Sequence, residues 1–349
     1  MGKSLRIALL LAIALSSRIW ASTLSTNIVT VGDSKEYATK ALAWSGELSS
    51  TEAPQFECHE GSEAGVNCFG SQSWVTAATN RYRWYVADHL RSDRLGQGLE
   101  SDDIVMAVDY GWIDGFTITN QSGDQINCNS SGGHIIENCI LRPHDWNDYG
   151  IELSVFTFGS LHVAPIVVRN CIITGTGRGY GIRMQCVASD LGSGATLPVE
   201  ISNTLIYNTS NAIHTYTLCS GGFADLFLTN VNLITIGNIN SYVETWGTCP
   251  RTFESNMWWY FDTDDLVPLV LVGPISNGTA NEIWLDVDNN YFGLRGDAPV
   301  IGAGTNRYPT DIIGQSQDNN IGPYGGVGNL VNHAAIIISA LWQHVGGLI

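Results

Sequence analysis

Apolar and polar residues alternate in short segments that recur at a nearly constant distance along the chain. Four segments share the order isoleucine, polar residue, third residue, polar residue, and a fifth continues the series; they begin at Ile126, Ile151, Ile182, Ile213 and Ile239. The isoleucines lie 25, 31, 31 and 26 residues apart. A second signature interleaves with the first, and each copy contains an asparagine: Asn138, Asn170, Asn203 and Asn230. Two strand types that alternate at one period predict a repeat architecture.

The elements between these signatures are short strands and turns, so we expect an all-β fold. The 38 glycines and the low charged fraction of 14% agree with a fold that has many turns. A helix is predicted only near the N-terminus, over residues 37–48, where it would cover the open edge of the stacked strands. A β-sandwich is the alternative fold, but it would have hairpin turns about every 8–12 residues and no constant register.

A repeat of this length without helices resembles the right-handed parallel β-helix, a solenoid in which each coil lays its strands on those of the next. The recurring asparagine suits the bend between two strands, where its amide can bond to the backbone and to the asparagine of the next coil. Two terminal regions extend the resemblance. Residues 29–32 and 37–39 are similar to the entry segment of β-helix proteins, and residues 297–305, 311–314 and 320–324 are similar to a closing segment of secreted β-helix-repeat proteins.

The resemblance is to the pectate-lyase-like superfamily, with its secreted and phage- or virion-associated members. The closing segment matches in part, because that family has Asp where Gly302 stands and Glu where Gly325 stands in this chain. The resemblance implies a β-helix with an N-terminal cap and a C-terminal closing segment, and it implies export. It specifies no reaction, since β-helices carry many unrelated activities.

The chain divides into four predicted regions. Residues 1–21 resemble a secretory signal peptide, with Lys3 and Arg6 ahead of an apolar stretch, and a buried N-terminal helix is the alternative. The other regions are an N-terminal cap with the first irregular coils (22–100), the regular β-helix (101–295), and a closing segment with an apolar tail (296–349). The tail is too short and interrupted for a membrane span. Its predicted role is capping or oligomer formation, with contact to a membrane or particle as the alternative.

Charge and cysteine content narrow the class of protein. The formal net charge is −17, and phosphate contacts need Lys and Arg, so we expect no nucleic-acid partner. Eight cysteines, an even number, are typical of an exported protein with disulfides, and Cys58 with Cys68 is the first predicted pair. Cys139 and Cys171 occupy one position in successive repeats, where they either stack as thiols or form a bond. Zinc is not expected, because no two cysteines have C-x-x-C spacing.

Alternation along the isoleucine strands predicts a surface for carbohydrate. Each isoleucine and the residue two positions later point inward, so the residues between and after them point outward in two columns. One column contains Asn127, Glu152, Arg183, His214 and Asn240, and the other contains Asn129, Ser154, Gln185, Tyr216 and Tyr242. Hydrogen-bonding groups beside aromatic faces suit sugar hydroxyls and sugar C–H surfaces. The predicted substrate-binding residues are therefore Asn127, Gln185, Tyr216, Asn240 and Tyr242, together with Trp146, which the loop 144–149 could place over this face for stacking.

If the protein is an enzyme, its predicted catalytic residues are Glu152, Arg183 and His214. Arg183 or His214 could act as the base that abstracts a proton α to a uronate carboxylate, and Glu152 could hold that base in place. The same three residues also fit a surface ladder of opposite charges that only stabilises the sheet. Hydrolysis would need a second carboxylate about 5–5.5 or 6.5–9.5 Å from Glu152. The nearest source in sequence is the pair of aspartates in the loop 144–149.

No cofactor and no firm metal site are predicted. The aspartate-rich segments 262–265 and 286–290 could bind Ca²⁺ through oxygen ligands. The second segment lacks the glycine that an EF-hand loop has at its sixth position, where Tyr291 stands.

The sequence thus predicts an exported protein, secreted or on a virion surface, that binds polysaccharide or a cell-envelope glycan. One alternative is a polysaccharide lyase or glycoside hydrolase that acts on an extended glycan along one sheet face. A second alternative is a structural component of an extracellular or phage assembly. A homo-oligomer, such as a trimer, is compatible with each of these functions.

Overall fold

The structure is a computed structural model that describes residues 27–47, 52–62, 64–68, 80–92, 98–119, 123–129, 132–157, 164–188, 195–219, 224–236, 241–246, 251–259, 272–275, 284–286, 291–294 and 312. These residues form short β-strands, nearly all in parallel pairs, and one short α-helix. The fold is therefore all-β with parallel sheets, as the alternating pattern predicts. The arrangement is compatible with a solenoid of the β-helix type.

A first group of strands lies side by side in the large sheet. Its members are β1 (Ile28–Val31), β2 (Gln55–Cys58), β4 (Arg83–Val86), β6 (Trp112–Asp114), β9 (Ile135–Glu137), β12 (Ile166–Arg169), β15 (Ala195–Ser202) and β18 (Ala224–Ile236). Each member pairs in parallel with the next. Parallel neighbours need a crossover segment between them, and these segments carry the other strands.

A second group of strands belongs to the same sheet. It contains β7 (Thr117–Ile118), β10 (Ile140–Leu141), β13 (Ile172–Thr174) and β16 (Leu205–Tyr207), again in parallel pairs. The 13-residue strand β18 is long enough to pair with both β15 and β16, so it joins the two groups. Two more strands, β20 (Arg251–Trp259) and β21 (Val272–Ile275), follow β18 and complete a 14-stranded sheet.

A separate parallel sheet of seven strands carries the isoleucine series. Its strands are β3 (Val66–Cys68), β5 (Ile104–Met106), β8 (Ile126–Cys128), β11 (Tyr149–Thr157), β14 (Tyr180–Ala188), β17 (Asn211–Cys219) and β19 (Ser241–Trp246). They pair in chain order. The last described strands, β22 (Trp284–Asp286) and β23 (Tyr291–Leu294), form an antiparallel pair of their own.

The isoleucines of the seven-stranded sheet stack in register, as predicted. Ile126 pairs with Ile151, Ile151 with Ile182, and Ile182 with Ile213. All four are fully buried, and so are the residues two positions later, namely Cys128, Leu153 and Met184. Burying one such aliphatic side chain is worth about 1.5–3 kcal/mol. The repeated inward residues therefore stabilise the stack at every level.

Asparagines form the bend between the two strand groups of the large sheet. Asn138, Asn170 and Asn203 have φ of 57°, 52° and 46°, a left-handed conformation that asparagine tolerates better than most residues. The Asn170 Nδ2 donates to Asn138 Oδ1 at 3.4 Å, which is a contact of the predicted ladder. The predicted fourth member is wrong. Asn230 pairs with Ile201, two positions before Asn203, so it does not continue the column of asparagines.

The helix α1 (Lys40–Glu47) begins three residues after the predicted start. It packs against β1 and β3, which are the first strands of the two sheets. Its Trp44 ring lies 5.1 Å from the ring of Tyr82 and 6.2 Å from the ring of Phe56. The helix therefore lies over the end of the stack that the sequence predicted it to cover.

Five cysteines have described side chains, and all five are buried free thiols: Cys58, Cys68, Cys128, Cys139 and Cys171. The predicted disulfide between Cys58 and Cys68 is wrong, because both are free thiols: Cys58 lies on β2 in the large sheet and Cys68 lies on β3 in the seven-stranded sheet. Burial raises the pKa of both thiols to about 12. Of the two arrangements predicted for Cys139 and Cys171, the structure has the unbonded thiols.

Several predicted features fall outside the described residues. These are the signal peptide over 1–21, most of the closing segment, and the apolar tail. In the part of the chain that the structure describes, no helix has the length and apolar character needed to cross a membrane. The domain boundaries drawn from the sequence stay predictions.

Candidate functional site

Four polar residues stand in register on the outward side of the seven-stranded sheet. Asn127 pairs with Glu152, Glu152 with Arg183, and Arg183 with His214. The Asn127 Nδ2 donates to Glu152 Oε2 at 2.8 Å, and Arg183 Nη1 donates to Glu152 Oε1 at 3.0 Å. We call these four residues the polar ladder. The strand register brings residues 25 and 31 positions apart into direct contact.

The polar ladder is less exposed than alternation alone predicts. Only 7% of the surface of Glu152 and 8% of that of His214 is exposed to solvent. Asn127 and Arg183, in contrast, are partly exposed. Both oxygens of Glu152 accept hydrogen bonds, which compensates for the loss of water. Glu152 and His214 therefore lie behind the surface, and Arg183 is the charged member of the ladder that solvent reaches.

Two tyrosines cover the polar ladder, and the sequence analysis missed both. The rings of Tyr149 and Tyr180 lie 5.0 Å apart and are inclined by 26°. The Tyr180 ring in turn lies 4.9 Å from the imidazole of His214. The Arg183 guanidinium lies 4.7 Å from the centre of the Tyr149 ring, which is a cation–π contact. We call Tyr149, Tyr180 and His214 the ring stack.

A repeated Tyr-Gly-Ile tripeptide explains why these tyrosines point outward. Gly150 and Ile151 are both buried, so the in–out alternation breaks between them and Tyr149 lies on the same side as Glu152. Gly150 has no room for a side chain, because a Cβ there would lie 2.7 Å from a side chain of the large sheet. The tripeptide recurs at 180–182. Its repetition is the sequence signal that could have identified the ring stack.

Asp124, just before β8, joins the site and was also missed. Its Oδ2 accepts a hydrogen bond from Asn127 Nδ2 at 3.2 Å, and its carboxyl shares a hydrogen bond with Glu152. Burial, followed by this hydrogen bond and the negative charge of Glu152, raises the pKa of Asp124 to about 8. Asp124 is therefore mainly a neutral carboxylic acid at pH 7. Its environment comes from another strand, and no local sequence pattern reveals it.

Trp146 stands in the loop that leads into β11, and 51% of its surface is exposed. Asp148 fixes this loop, because its Oδ1 accepts from the Gly123 backbone N–H and its Oδ2 accepts from the Asp145 backbone N–H, both at 2.8 Å. The Arg178 guanidinium lies 6.0 Å from the indole ring. An exposed ring on a fixed loop suits the stacking role predicted for Trp146. Asp148, by contrast, is committed to holding the loop.

The other predicted binding residues belong to the second outward column. Gln185 pairs with Ser154 on one side and Tyr216 on the other, as predicted. Gln185 is partly exposed, while the side chain of Tyr216 lies outside the described residues. Asn240 lies outside them entirely.

The predicted register of the fifth segment is wrong by four residues. Val243, and not Ile239, pairs with Ile213. Glu244 therefore stands next to His214 in the first column, in place of Asn240, and Trp246 stands next to Tyr216 in the second column, in place of Tyr242. The physical reason is spacing, because Val243 lies 30 residues after Ile213 and this register keeps a distance close to the 31 residues of the two preceding levels.

A second charged cluster lies on the large sheet. Asp114 is 1% exposed and accepts hydrogen bonds from Arg83, from Arg91 at 2.7 Å and from Asn138 at 2.7 Å. Burial favours a higher pKa for Asp114, but the two guanidinium groups outweigh it and lower the pKa below the usual value. The carboxylate stays ionised and is held by three donors. Its role is to tie neighbouring strands together.

Among the described residues, no group of three or more His, Cys, Asp or Glu could hold a metal ion. The aspartate-rich segment 262–265 lies outside those residues, and of the segment 286–290 only Asp286, at the end of β22, is described. Calcium binding at either segment stays a prediction.

No protein-family model, no curated protein and no solved structure matches the chain. The class of protein is given by the fold, which is all-β, with parallel sheets and one short helix in the described residues. This fold carries a polar ladder beside stacked rings, and an exposed tryptophan in the loop that leads into β11. Function therefore has to be argued from the chemistry of this site.

Proposed function

We propose that the protein is an exported or virion-associated right-handed parallel β-helix of the pectate-lyase-like type, and that it binds an extended polysaccharide or cell-envelope glycan. The binding face is the outward side of the seven-stranded sheet around β8, β11 and β14. One observation carries the proposal. The ring stack and the accessible part of Arg183 lie where β11 and β14 begin, and the exposed Trp146 stands three residues before Tyr149 in the loop that leads into β11.

Sugars make two kinds of contact with proteins, and this face offers both. Sugar hydroxyls pair with directional donors and acceptors, and sugar C–H surfaces stack on aromatic rings. Trp146 presents an exposed ring, while Arg183 and the hydroxyls of Tyr149 and Tyr180 present hydrogen-bonding groups. Burial raises the pKa of Tyr149 to about 12, so its hydroxyl keeps its proton and can donate.

The more deeply placed residues support this face from behind. Glu152 holds Arg183 through the 3.0 Å ion pair, and His214 stacks on Tyr180. In this proposal neither Glu152 nor His214 touches the glycan. The strands repeat about every 4.8 Å, so equivalent groups recur along the direction in which an extended polymer would lie.

Titration against a panel of soluble polysaccharides and cell-envelope glycans tests the proposal. Trp146→Ala is expected to weaken binding about fivefold to tenfold, because it removes the stacking ring. The matched control is Leu42→Ala, which truncates a side chain that is 54% exposed on α1 and should leave binding unchanged. The proposal fails if no glycan binds, or if Trp146→Ala binds as well as the unmodified protein.

Cleavage of the bound glycan is a second candidate, and one observation favours it. Asp124 keeps its proton near neutral pH, as a general acid must. Asp124 and Glu152 share a hydrogen bond, so they are in direct contact, whereas two-carboxylate hydrolysis places the scissile bond between two separated carboxyls. That contact counts against this pair as a complete hydrolytic machinery.

Incubation with the same panel separates binding from cleavage. New reducing ends alone would indicate hydrolysis, and new unsaturated ends would indicate elimination. If turnover occurs, the rates of three variants show how much each side chain contributes to cleavage: Asp124→Asn, Glu152→Ala and Arg183→Ala. Full turnover in all three variants would move the reaction away from this site, and binding without new ends would leave a binding protein.

A further inference from the structure

We infer that the glycan recognised beside the polar ladder is electrically neutral, so that polymers of uronic acid are excluded. This inference rests on the proposed glycan-binding function and adds the chemical class of the ligand. It is argued from the arrangement of Asp124, Glu152 and Arg183.

The charge of Arg183 is already balanced inside the protein. Its Nη1 donates to Glu152 Oε1 at 3.0 Å, and its guanidinium lies against the Tyr149 ring at 4.7 Å. A uronate carboxylate at the accessible edge of Arg183 would compete with Glu152 for the guanidinium and weaken the ion pair between them. Glu152 is only 7% exposed, and leaving a buried carboxylate without its ion-pair partner is strongly unfavourable.

The carboxyl groups beside Arg183 oppose the approach of another anion. Glu152 pairs with Arg183, and Asp124 shares a hydrogen bond with Glu152 and carries a proton at neutral pH. The formal charge of the three side chains is then zero, and one more carboxylate would make the cluster negative. The whole chain, at −17, adds to the repulsion. A hydroxyl donates and accepts hydrogen bonds without charge, so it avoids this cost.

Matched pairs of polymers test the inference with the unmodified protein. The probes are polygalacturonate, alginate and hyaluronan, each beside its carboxyl-reduced form, together with a neutral β-glucan and a mannan. EDTA is present so that divalent cations cannot bridge acidic polymer to protein. We expect the neutral or reduced polymers that bind to do so at least about tenfold more tightly than any acidic one.

The outcomes of this comparison separate the two proposals. Acidic polymers that bind as tightly as their reduced forms, or more tightly, would overturn the inference and leave glycan binding intact. Absence of binding to every polymer would overturn both.

A variant that releases Arg183 provides the converse test. Asp124→Asn with Glu152→Gln removes both carboxyls and is expected to improve binding of an acidic polymer by about tenfold or more. Adding Arg183→Gln should abolish that gain. Glu36→Gln, at an exposed position in the turn before α1, is the control for lower net charge alone. A folded double variant that gains no affinity would count against the inference; if it does not fold, the polymer pairs decide.

Discussion

At the scale of single residues, Asp124 has a protonation state that aspartate does not have in water. The ordinary pKa of aspartate is about 3.9, whereas burial and the neighbouring Glu152 raise that of Asp124 to about 8. The Asn127 amide donates to both carboxyls, at 3.2 Å to Asp124 and 2.8 Å to Glu152. The three side chains thus form one hydrogen-bonded unit that holds a proton near neutral pH.

This proton makes the stability of the fold depend on pH. The pKa of Asp124 is raised in the folded state, so its contribution is fully present below the unfolded-state pKa and is lost as pH rises through about 8. Stability should therefore fall between about pH 4 and pH 8, with a slope below the limit of about 1.4 kcal/mol per pH unit for one proton, because Asp124 is partly exposed and water screens its interactions. Asp124→Asn should flatten this dependence in thermal unfolding measured from pH 5 to pH 9.

The control for this measurement is Asp33→Asn, because Asp33 is exposed. Its curve should run parallel to that of the unmodified protein. If the Asp124→Asn curve were parallel as well, Asp124 would not hold a proton in the folded state.

At the scale of the elements, strands are stabilised by the same inward residues at each level. Leu153 on β11 is fully buried between Cys128 on β8 and Met184 on β14. Protein interiors are closely packed, so a truncation at one level leaves a cavity that the neighbouring strands cannot close without shifting. Position in the stack, and not residue type alone, decides the cost of a substitution.

Leu153→Ala should destabilise the protein by about 2–5 kcal/mol. The same substitution at Leu42, which is 54% exposed on α1, should change stability by no more than about 0.5 kcal/mol. Chemical unfolding followed by circular dichroism compares the two variants. Equal losses would mean that Leu153 is not buried between β8 and β14.

The sequence predicted those elements whose signal is repetition. Ile151 and Ile182 could be aligned because the same residue returns after 31 positions. The fifth segment could not be aligned in this way, because Val243 is the residue that pairs with Ile213, while the isoleucine of the pattern, Ile239, stands four residues earlier. A buried position requires an apolar side chain of sufficient size and not one particular residue type. Spacing along the chain is therefore a better guide to strand register than the recurrence of isoleucine.

The candidate site was predictable to the extent that it follows alternation. The polar ladder was predicted because its members are single outward residues between inward ones. Tyr149 was missed because strict alternation would place it inward, two positions before Ile151. The alternation breaks at Gly150, so Tyr149 lies on the outward side. Asp124 was missed because its unusual pKa depends on Glu152, which is distant in sequence and adjacent only after the strands pair.

At the scale of the whole molecule, the seven-stranded sheet presents an elongated face. From Asn127 to His214 the polar ladder crosses three strand spacings, a length of about 14 Å. Glu244 extends the column by one further strand. A ligand that uses this face fully must therefore be a chain of several sugars.

Affinity should accordingly rise with oligosaccharide length and then level off at roughly three or four units. Calorimetric titration with a series of defined neutral oligosaccharides measures this dependence. An affinity that is already maximal for the monosaccharide would mean a single small pocket in place of an extended face.

The buried thiols have a use that does not depend on what the protein binds. Cys58, Cys68, Cys128, Cys139 and Cys171 are distributed over different levels of the fold. A reagent in solution reaches each sulfur only when the surrounding layer transiently parts. Timed alkylation followed by peptide mass spectrometry would thus give the order in which the layers loosen, from the helix-covered end towards the middle, without any introduced label.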